Sequence, residues 1–274
     1  MRTLSGIIVV GLGFSAAPAN AAPETPTAAH RAADAASDHG LLVSRAETLR
    51  AGEVALSLYQ LLVPGLSAGL TDRLELSGLY LMWPEENPTF WALQAKYAFV
   101  RTENATVSAR VNVSSLGDDD GCADCDANSL VRTARAELAA DLRVGTGPGA
   151  AGLHGALGIT RTGSNDSVSV HVDPGVGAIV EFAADVALSE HWSLLTEVRA
   201  PTNAVSADEL PLDEPVAGVG VRLYGQHLAL DAGVFVPLAA TIEGAPSEPW
   251  RAPRVPFVPW FTLTGRFSVL PGGE

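Results

Sequence analysis

The sequence is poor in cysteine, in aromatic residues and in basic residues, and these scarcities exclude several classes of protein. Two cysteines without histidines at matching spacing do not make a zinc site. Seventeen lysines and arginines stand against 31 acids, a net charge of −14, so nucleic-acid binding is disfavoured. Charged residues make up only 18% and apolar residues 47% of the 274 positions, which argues against a disordered chain. Apolar runs long enough to form a transmembrane helix are also missing.

The N-terminus has the features of an export signal. Met1-Arg2 is a short basic region, Leu4–Phe14 is apolar, and Ala19-Asn20-Ala21 is a small-x-small cleavage motif. The sequence thus predicts a signal peptide over 1–21, with a retained anchor as the alternative. Residues 22–51 are rich in alanine and carry no sustained apolar stripe, so we expect a flexible periplasmic lead-in there.

From Gly52 onward, apolar and polar residues alternate with a period of two, which is typical of β-strands with one apolar face. In the clearest run, 105–113, one face carries alanine and valine and the other threonine, serine, arginine and asparagine. The same test predicts twelve strands, near 53–62, 65–71, 74–83, 90–100, 105–115, 130–144, 153–162, 175–188, 192–200, 216–224, 227–238 and 256–268.

The links between these strands alternate between short turns and long polar segments. An outer-membrane β-barrel has this organisation, with tight periplasmic turns and longer outside loops. The fold class predicted is therefore all-β, a transmembrane antiparallel up-and-down β-barrel of twelve strands, with ten to fourteen compatible with the pattern. The barrel would span 52–268 and leave a C-terminal tail at 269–274. A secreted β-sandwich is the rival architecture.

Charged residues are concentrated on one face of the predicted strands. A charge facing lipid at the membrane midplane costs ~2–4 kcal/mol, so we expect this face to line the lumen. The predicted lumen-lining charges are Glu53, Glu75, Lys96, Arg110, Arg135, Glu137, Asp141, Arg143, Glu181, Asp185, Glu197, Arg199, Arg222, Asp231 and Arg266. Arg132 and Arg161, both near strand ends, lie on the apolar face. Aromatic residues at strand ends, Tyr224 and Trp260 among them, are candidates for interfacial girdles.

Three segments carry a resemblance to a known group of proteins. They are Ala46-Glu47-Thr48-Leu49 before Gly52-Glu53, then Gly69–Leu76, and the glycine-rich Gly218–Gly225. The chain from about residue 46 onward resembles uncharacterised, porin-like outer-membrane β-barrel proteins of Gram-negative bacteria. This resemblance implies outer-membrane lipid and the barrel-assembly machinery as partners, although the terminal aromatic, Phe267, is followed by seven more residues.

The predicted lumen allows two interpretations. Opposite charges can pair across strands and brace a closed interior, or they can ring a narrow constriction that sorts small polar solutes by charge. The long links contain fifteen acids against Arg251 and Arg254. They would either attract cations to the outer mouth or serve as a solvated surface.

The segment 118–126 is the densest group of candidate ligands. Cys122 and Cys125 would form a disulfide in an oxidising compartment. A weak Ca²⁺ site is a further possibility, although the spacing is not that of an EF-hand, and its ligands would be Asp118, Asp119, Asp120, Asp124 and Asp126. No other metal site and no cofactor are expected.

No catalytic arrangement emerges from the histidines. His154 and His227 lie near periplasmic strand ends without an evident serine partner, and we interpret them as polar fillers of the lumen. We therefore do not expect an enzyme. The sequence predicts an outer-membrane barrel that is a narrow passive channel for small polar or cationic solutes or a structural barrel. A binding or adhesion barrel acting through acidic loops is the alternative, and a membrane-embedded hydrolase is a third.

Overall fold

Twelve antiparallel strands make up most of the part of the chain that the structure describes. The computed structural model describes residues 34–36, 38–40, 43–60, 62–81, 89–117, 130–164, 175–201, 215–238 and 257–269. The strands are β1 (Glu53–Tyr59), β2 (Val63–Thr71), β3 (Leu74–Leu81), β4 (Thr89–Arg101), β5 (Ala105–Gly117), β6 (Leu130–Val144), β7 (Ala151–Ser164), β8 (Gly175–Ala187), β9 (Trp192–Pro201), β10 (Val216–Tyr224), β11 (Leu228–Pro237) and β12 (Val258–Ser268).

Each strand pairs with its neighbours in sequence, and β1 pairs with β12 to close the sheet. The closing register runs from Glu53 opposite Ser268 to Tyr59 opposite Thr262. Closure leaves no strand edge unpaired, which removes the usual route to edge-to-edge aggregation. The predicted closed twelve-stranded up-and-down barrel is therefore confirmed, and the β-sandwich is excluded.

Strand boundaries agree with the alternation of the sequence, except where a turn interrupts it. β1 ends at Tyr59 rather than at residue 62, because Gln60 has a φ of 52° and leaves the extended conformation. The amide of Leu62 then donates to the carbonyl of Tyr59 at 3.0 Å and closes a tight turn. The local pattern of apolar residues carries no signal for this turn.

The apolar face of the strands points outward. On β6 the exposed residues Ala134, Ala136, Leu138, Ala140 and Leu142 alternate with charged or small residues that face the interior. Leu138, Leu157 and Ile159 are 60%, 63% and 61% exposed. These apolar rows lie on the outside of a single closed sheet, and the described residues form no second layer over them. The described barrel is thus apolar on its outer face and polar inside.

Two ends of the barrel are distinguished by their connections. The short-turn end carries the connections after β2, β4, β6, β8 and β10. The long-link end carries the other connections, which are longer except for the tight turn after β1. Two aromatic residues expected in interfacial girdles face inward: Tyr224 is buried and Trp260 half-buried. Within the described residues, no helix is long and apolar enough to cross a bilayer.

The segment before β1 differs from its prediction. The sequence predicts a flexible periplasmic lead-in over 22–51, but the described residues from Asp34 to Leu49 lie within the barrel. Ala35, Ala36, Val43, Ala46 and Leu49 have no exposed surface. An apolar stripe is unnecessary here, because the barrel interior offers charged side chains that bind the backbone of a segment built largely of small residues.

Candidate functional site in the barrel lumen

The described residues between Asp34 and Arg50, namely 34–36, 38–40 and 43–50, are hereafter called the plug, and two arms of it lie antiparallel in the lumen. The amide of Ala35 donates to the carbonyl of Gly225 at 3.1 Å, which places the entry at the short-turn end. The hairpin reverses between His39 and Ser44, which form an antiparallel bridge, and the amide of Gly40 donates to the carbonyl of Val43 at 2.7 Å. The chain returns to the short-turn end and enters β1, so the described part of the plug occupies the half of the lumen nearer that end.

Acidic side chains of the barrel wall accept hydrogen bonds from plug amides. Asp141 accepts from the amides of Ala46 and Glu47 at 2.8 and 3.1 Å. Glu75 accepts from Leu49 at 2.9 Å, and Glu197 accepts from Val43 at 3.2 Å. Amides that would be unpaired in an irregular buried segment are thereby satisfied by side chains from β3, β6 and β9.

Basic side chains of the wall donate to plug carbonyls in the same way. Lys96 Nζ lies 3.3 Å from the carbonyl oxygens of Asp38 and Arg45. Arg222 donates to the carbonyls of Ala36 and His39 at 2.7 and 2.9 Å. Arg110 donates to the carbonyl of Ser44. The wall therefore binds the plug mainly through its backbone.

Salt bridges between described residues add side-chain specificity to these backbone contacts. Arg45 of the plug lies 2.8 Å from Asp185 on β8, and Asp34 lies 3.2 Å from Arg222 on β10. Small residues of the plug also pack against the wall: Ala46 is clustered with Ala139 and Ala156. The alanines at these contacts allow the plug to approach the sheet closely.

The ionic groups of the wall pair directly across neighbouring strands. Lys96 is opposite Glu75 in the register and 3.1 Å from it, and Arg222 is opposite Asp231 at 2.7 Å. Arg110 contacts its opposite residue Glu137 and also Glu181 on β8. Charges buried with paired, hydrogen-bonded partners avoid the large cost of isolated buried charges.

All fifteen predicted lumen charges lie on the inward side of the wall, and none is exposed. Ten are buried: Glu75, Lys96, Arg110, Glu137, Asp141, Glu181, Glu197, Arg222, Asp231 and Arg266. Five are half-buried: Glu53, Arg135, Arg143, Asp185 and Arg199. The alternation of the sequence located these residues, but it carried no signal that six or more of them would bind residues 34–50.

A cavity of about 370 Å³ lies beyond the hairpin tip, toward the long-link end. One side is ionic and includes Arg110, Glu181 and Arg199. The other side is aromatic and includes Tyr59 and Trp260, whose ring centroids are 6.3 Å apart. At the short-turn end, a cavity of only about 60 Å³ adjoins the plug. The cavity on the long-link side of the plug is therefore large enough for a small solute, whereas the cavity on the short-turn side is much smaller.

His39 and Asp38 form an ion pair at the hairpin tip, with His39 Nδ1 3.2 Å from Asp38 Oδ1. Burial disfavours the charged imidazolium, but the Asp38 carboxylate and its hydrogen bond outweigh burial and raise the pKa of His39. Burial likewise disfavours the Asp38 carboxylate, but His39 and Lys96 outweigh it and lower the pKa of Asp38. His39 Nε2 also lies 3.3 Å from the Thr264 hydroxyl on β12.

The remaining candidate residues are dispersed. Cys122, Cys125 and the five aspartates of 118–126 lie outside the described residues. His154 is buried in the wall beside Asp141, whereas His227 is exposed in the turn after β10 and does not fill the lumen. Within the described residues, no cluster of three or more His, Cys, Asp or Glu side chains has a geometry that could hold a metal ion.

These features define a class of protein: a closed twelve-stranded antiparallel barrel with an ionic lumen, an apolar exterior and an inserted N-terminal hairpin. No protein-family model matches the chain, and no curated protein matches its sequence.

Proposed function

We propose that this protein is an outer-membrane barrel that conducts small polar solutes only when the plug leaves the lumen. The single observation that carries the proposal is the position of the described residues between Asp34 and Leu49, most of them buried inside the closed sheet, where charged wall side chains bind their backbone. Placement in the outer membrane is supported by the apolar exterior of the barrel and by the signal-like segment 1–21.

The kind of contact that holds the plug favours a gate over a permanent core. Most described plug contacts are hydrogen bonds and ion pairs, and water can replace these when the segment withdraws. The cavity beyond the hairpin tip would hold a solute next to the closed gate. The acidic links would favour cations there.

A disulfide lock tests the proposal. Ala46 of the plug packs with Ala139 of β6, so we would introduce Ala46→Cys and Ala139→Cys after replacing Cys122 and Cys125 by serine. The purified chain is refolded into planar bilayers and its conductance is recorded before and after reduction. We expect openings of the reduced protein to disappear on oxidation and to return on reduction.

The matched control is Ala46→Cys alone in the same background, which cannot form the lock and should conduct equally under both conditions. Equal conductance of the oxidised and reduced double variant would refute a gate formed by the plug. Absence of ion conductance in both states would leave the structural-barrel interpretation and end the channel proposal.

A further inference from the structure

The outward face of the barrel carries two arginines that break its apolar pattern. Arg132 on β6 and Arg161 on β7 are both exposed, and they are the charged residues that the described strands place on their outward face. Arg132 is the third residue of β6, and three residues of β7 follow Arg161. Both arginines therefore lie near the long-link end.

The register brings these two arginines together. Arg132 is opposite Gly163, and Arg161 is opposite Ala134, so the arginines are diagonal neighbours on the same face. Diagonal positions lie about 7–8 Å apart, which puts two long guanidinium groups within reach of one ligand. Like charges at this distance repel each other unless an anion lies between them. Among the described residues, neither guanidinium has a hydrogen-bond or ion-pair partner.

An apolar groove continues from the arginine pair toward the barrel middle. Ala134 and Ala136 on β6 lie between larger exposed residues of the neighbouring strands, Val111 and Val113 on β5 and Ile159 on β7. The short alanine side chains make a shallow channel along β6, hereafter the alanine groove. Its width is that of one strand, which suits a single extended hydrocarbon chain.

We propose that the arginine pair and the alanine groove bind one phosphorylated membrane lipid. The guanidinium groups of Arg132 and Arg161 hold its phosphate through paired N–H···O contacts, and one acyl chain lies over Ala134 and Ala136. The inference rests on the proposed membrane location of the barrel and is independent of the plug. It assigns the site to a lipid headgroup rather than to free phosphate, because the apolar groove adjoins the charges.

The test measures lipid binding to the detergent-refolded mature chain by native mass spectrometry. The probes are dioctanoyl phosphatidic acid, dioctanoyl phosphatidylcholine and inorganic phosphate. We expect Arg132→Gln with Arg161→Gln to weaken phosphatidic acid binding at least ten-fold and to leave phosphatidylcholine binding unchanged. Ala136→Leu, which fills the groove without changing charge, should weaken phosphatidic acid binding at least three-fold.

Arg73→Gln is the matched control, because it removes one exposed arginine from the turn after β2 at the opposite end. The site is refuted if Arg73→Gln weakens binding as much as the double variant, if the double variant binds phosphatidic acid like the wild type, or if inorganic phosphate at equal concentration displaces the lipid. Heat-modifiable gel migration confirms that each variant has folded. A failure of the lipid site leaves the conductance experiment unaffected, so the two proposals are tested separately.

Discussion

At the scale of single residues, Arg110 joins three parts of the lumen: two wall strands besides its own, and the plug. It contacts Glu137 on the adjacent strand, Glu181 two strands further on, and the carbonyl of Ser44 in the plug. Alternation in the sequence placed Arg110 and both glutamates on the inward face. Their joint contact depends on the curvature of the closed sheet, which brings β5 and β8 within side-chain reach, so the sequence pattern did not indicate it.

Replacing Arg110 by methionine should destabilise the barrel by about 3–5 kcal/mol, because it removes the cation that contacts the buried Glu137 carboxylate and one of the two arginines that contact Glu181. The measurement is urea unfolding of the detergent-refolded protein, followed by tryptophan fluorescence. Arg73→Met, at an exposed turn position, should change the free energy of unfolding by less than about 0.5 kcal/mol. A stability of Arg110→Met equal to that of the wild type would contradict the role assigned to this network.

The His39–Asp38 pair predicts that the plug is held less firmly at high pH. The pKa of His39 is raised when the plug is folded into the lumen. The stability that protonated His39 adds to the inserted plug is therefore complete below the ordinary histidine pKa of about 6.5, and it is lost as the pH rises through the raised value. The positive charge of Arg222 lowers the pKa of His39, and the negative charge of Asp231 raises it. Asp38 has a lowered pKa and therefore stays ionised throughout this pH range.

Thiol labelling of Ala46→Cys, in the background without native cysteines, reports how often the plug leaves. We expect the His39→Gln version to label several-fold faster than its parent at pH 6 and at the same rate above the raised pKa of His39. Comparing the two proteins at each pH cancels the change in thiol reactivity. Equal rates at pH 6 would show that the ion pair does not hold the plug.

At the scale of elements, the plug and β2 fit together because Gly69 lacks a side chain. A Cβ atom at Gly69 would lie 2.0 Å from the carbonyl oxygen of Arg50 and 2.8 Å from that of Leu49. The amide of Gly52 also donates to the carbonyl of Gly69 at 2.9 Å. Residue 69 is therefore where the returning arm of the hairpin lies against the wall.

Gly69→Ala should displace this arm and lower the free energy of unfolding by about 1–3 kcal/mol, as overpacking against backbone does. It should also speed labelling of Ala46→Cys. Gly155→Ala in β7 is the control, because a Cβ there meets no atom within 4 Å, and it should be neutral or slightly stabilising. The predicted packing is wrong if both substitutions have the same effect on stability and labelling.

At the scale of the whole molecule, the exterior determines the medium in which the barrel is stable. Leu157 is 63% exposed in the interior of β7. In a membrane, Leu157→Arg should cost about 2–4 kcal/mol and reduce refolding into phosphatidylcholine vesicles. Val144→Arg, at the last position of β6, should cost less than about 1 kcal/mol. If Leu157→Arg folded as well as Val144→Arg, or improved solubility without detergent, the membrane location would be refuted.

The sequence alone was sufficient to predict the closed twelve-stranded barrel, its apolar exterior and its fifteen inward charges. A period of two specifies which side chains share a face, and short turns between successive strands specify antiparallel neighbours. These are local properties, so they are visible in consecutive residues.

The position of residues 34–50 was decided only by the tertiary structure. This segment is rich in alanine and has no apolar period. Described amides and carbonyls in it are satisfied by Glu75, Lys96, Asp141, Glu197 and Arg222, which lie 26 to 186 residues away along the chain. Backbone groups are the same at every position of a sequence, so their partners become identifiable only once the closed sheet has brought those side chains into one interior.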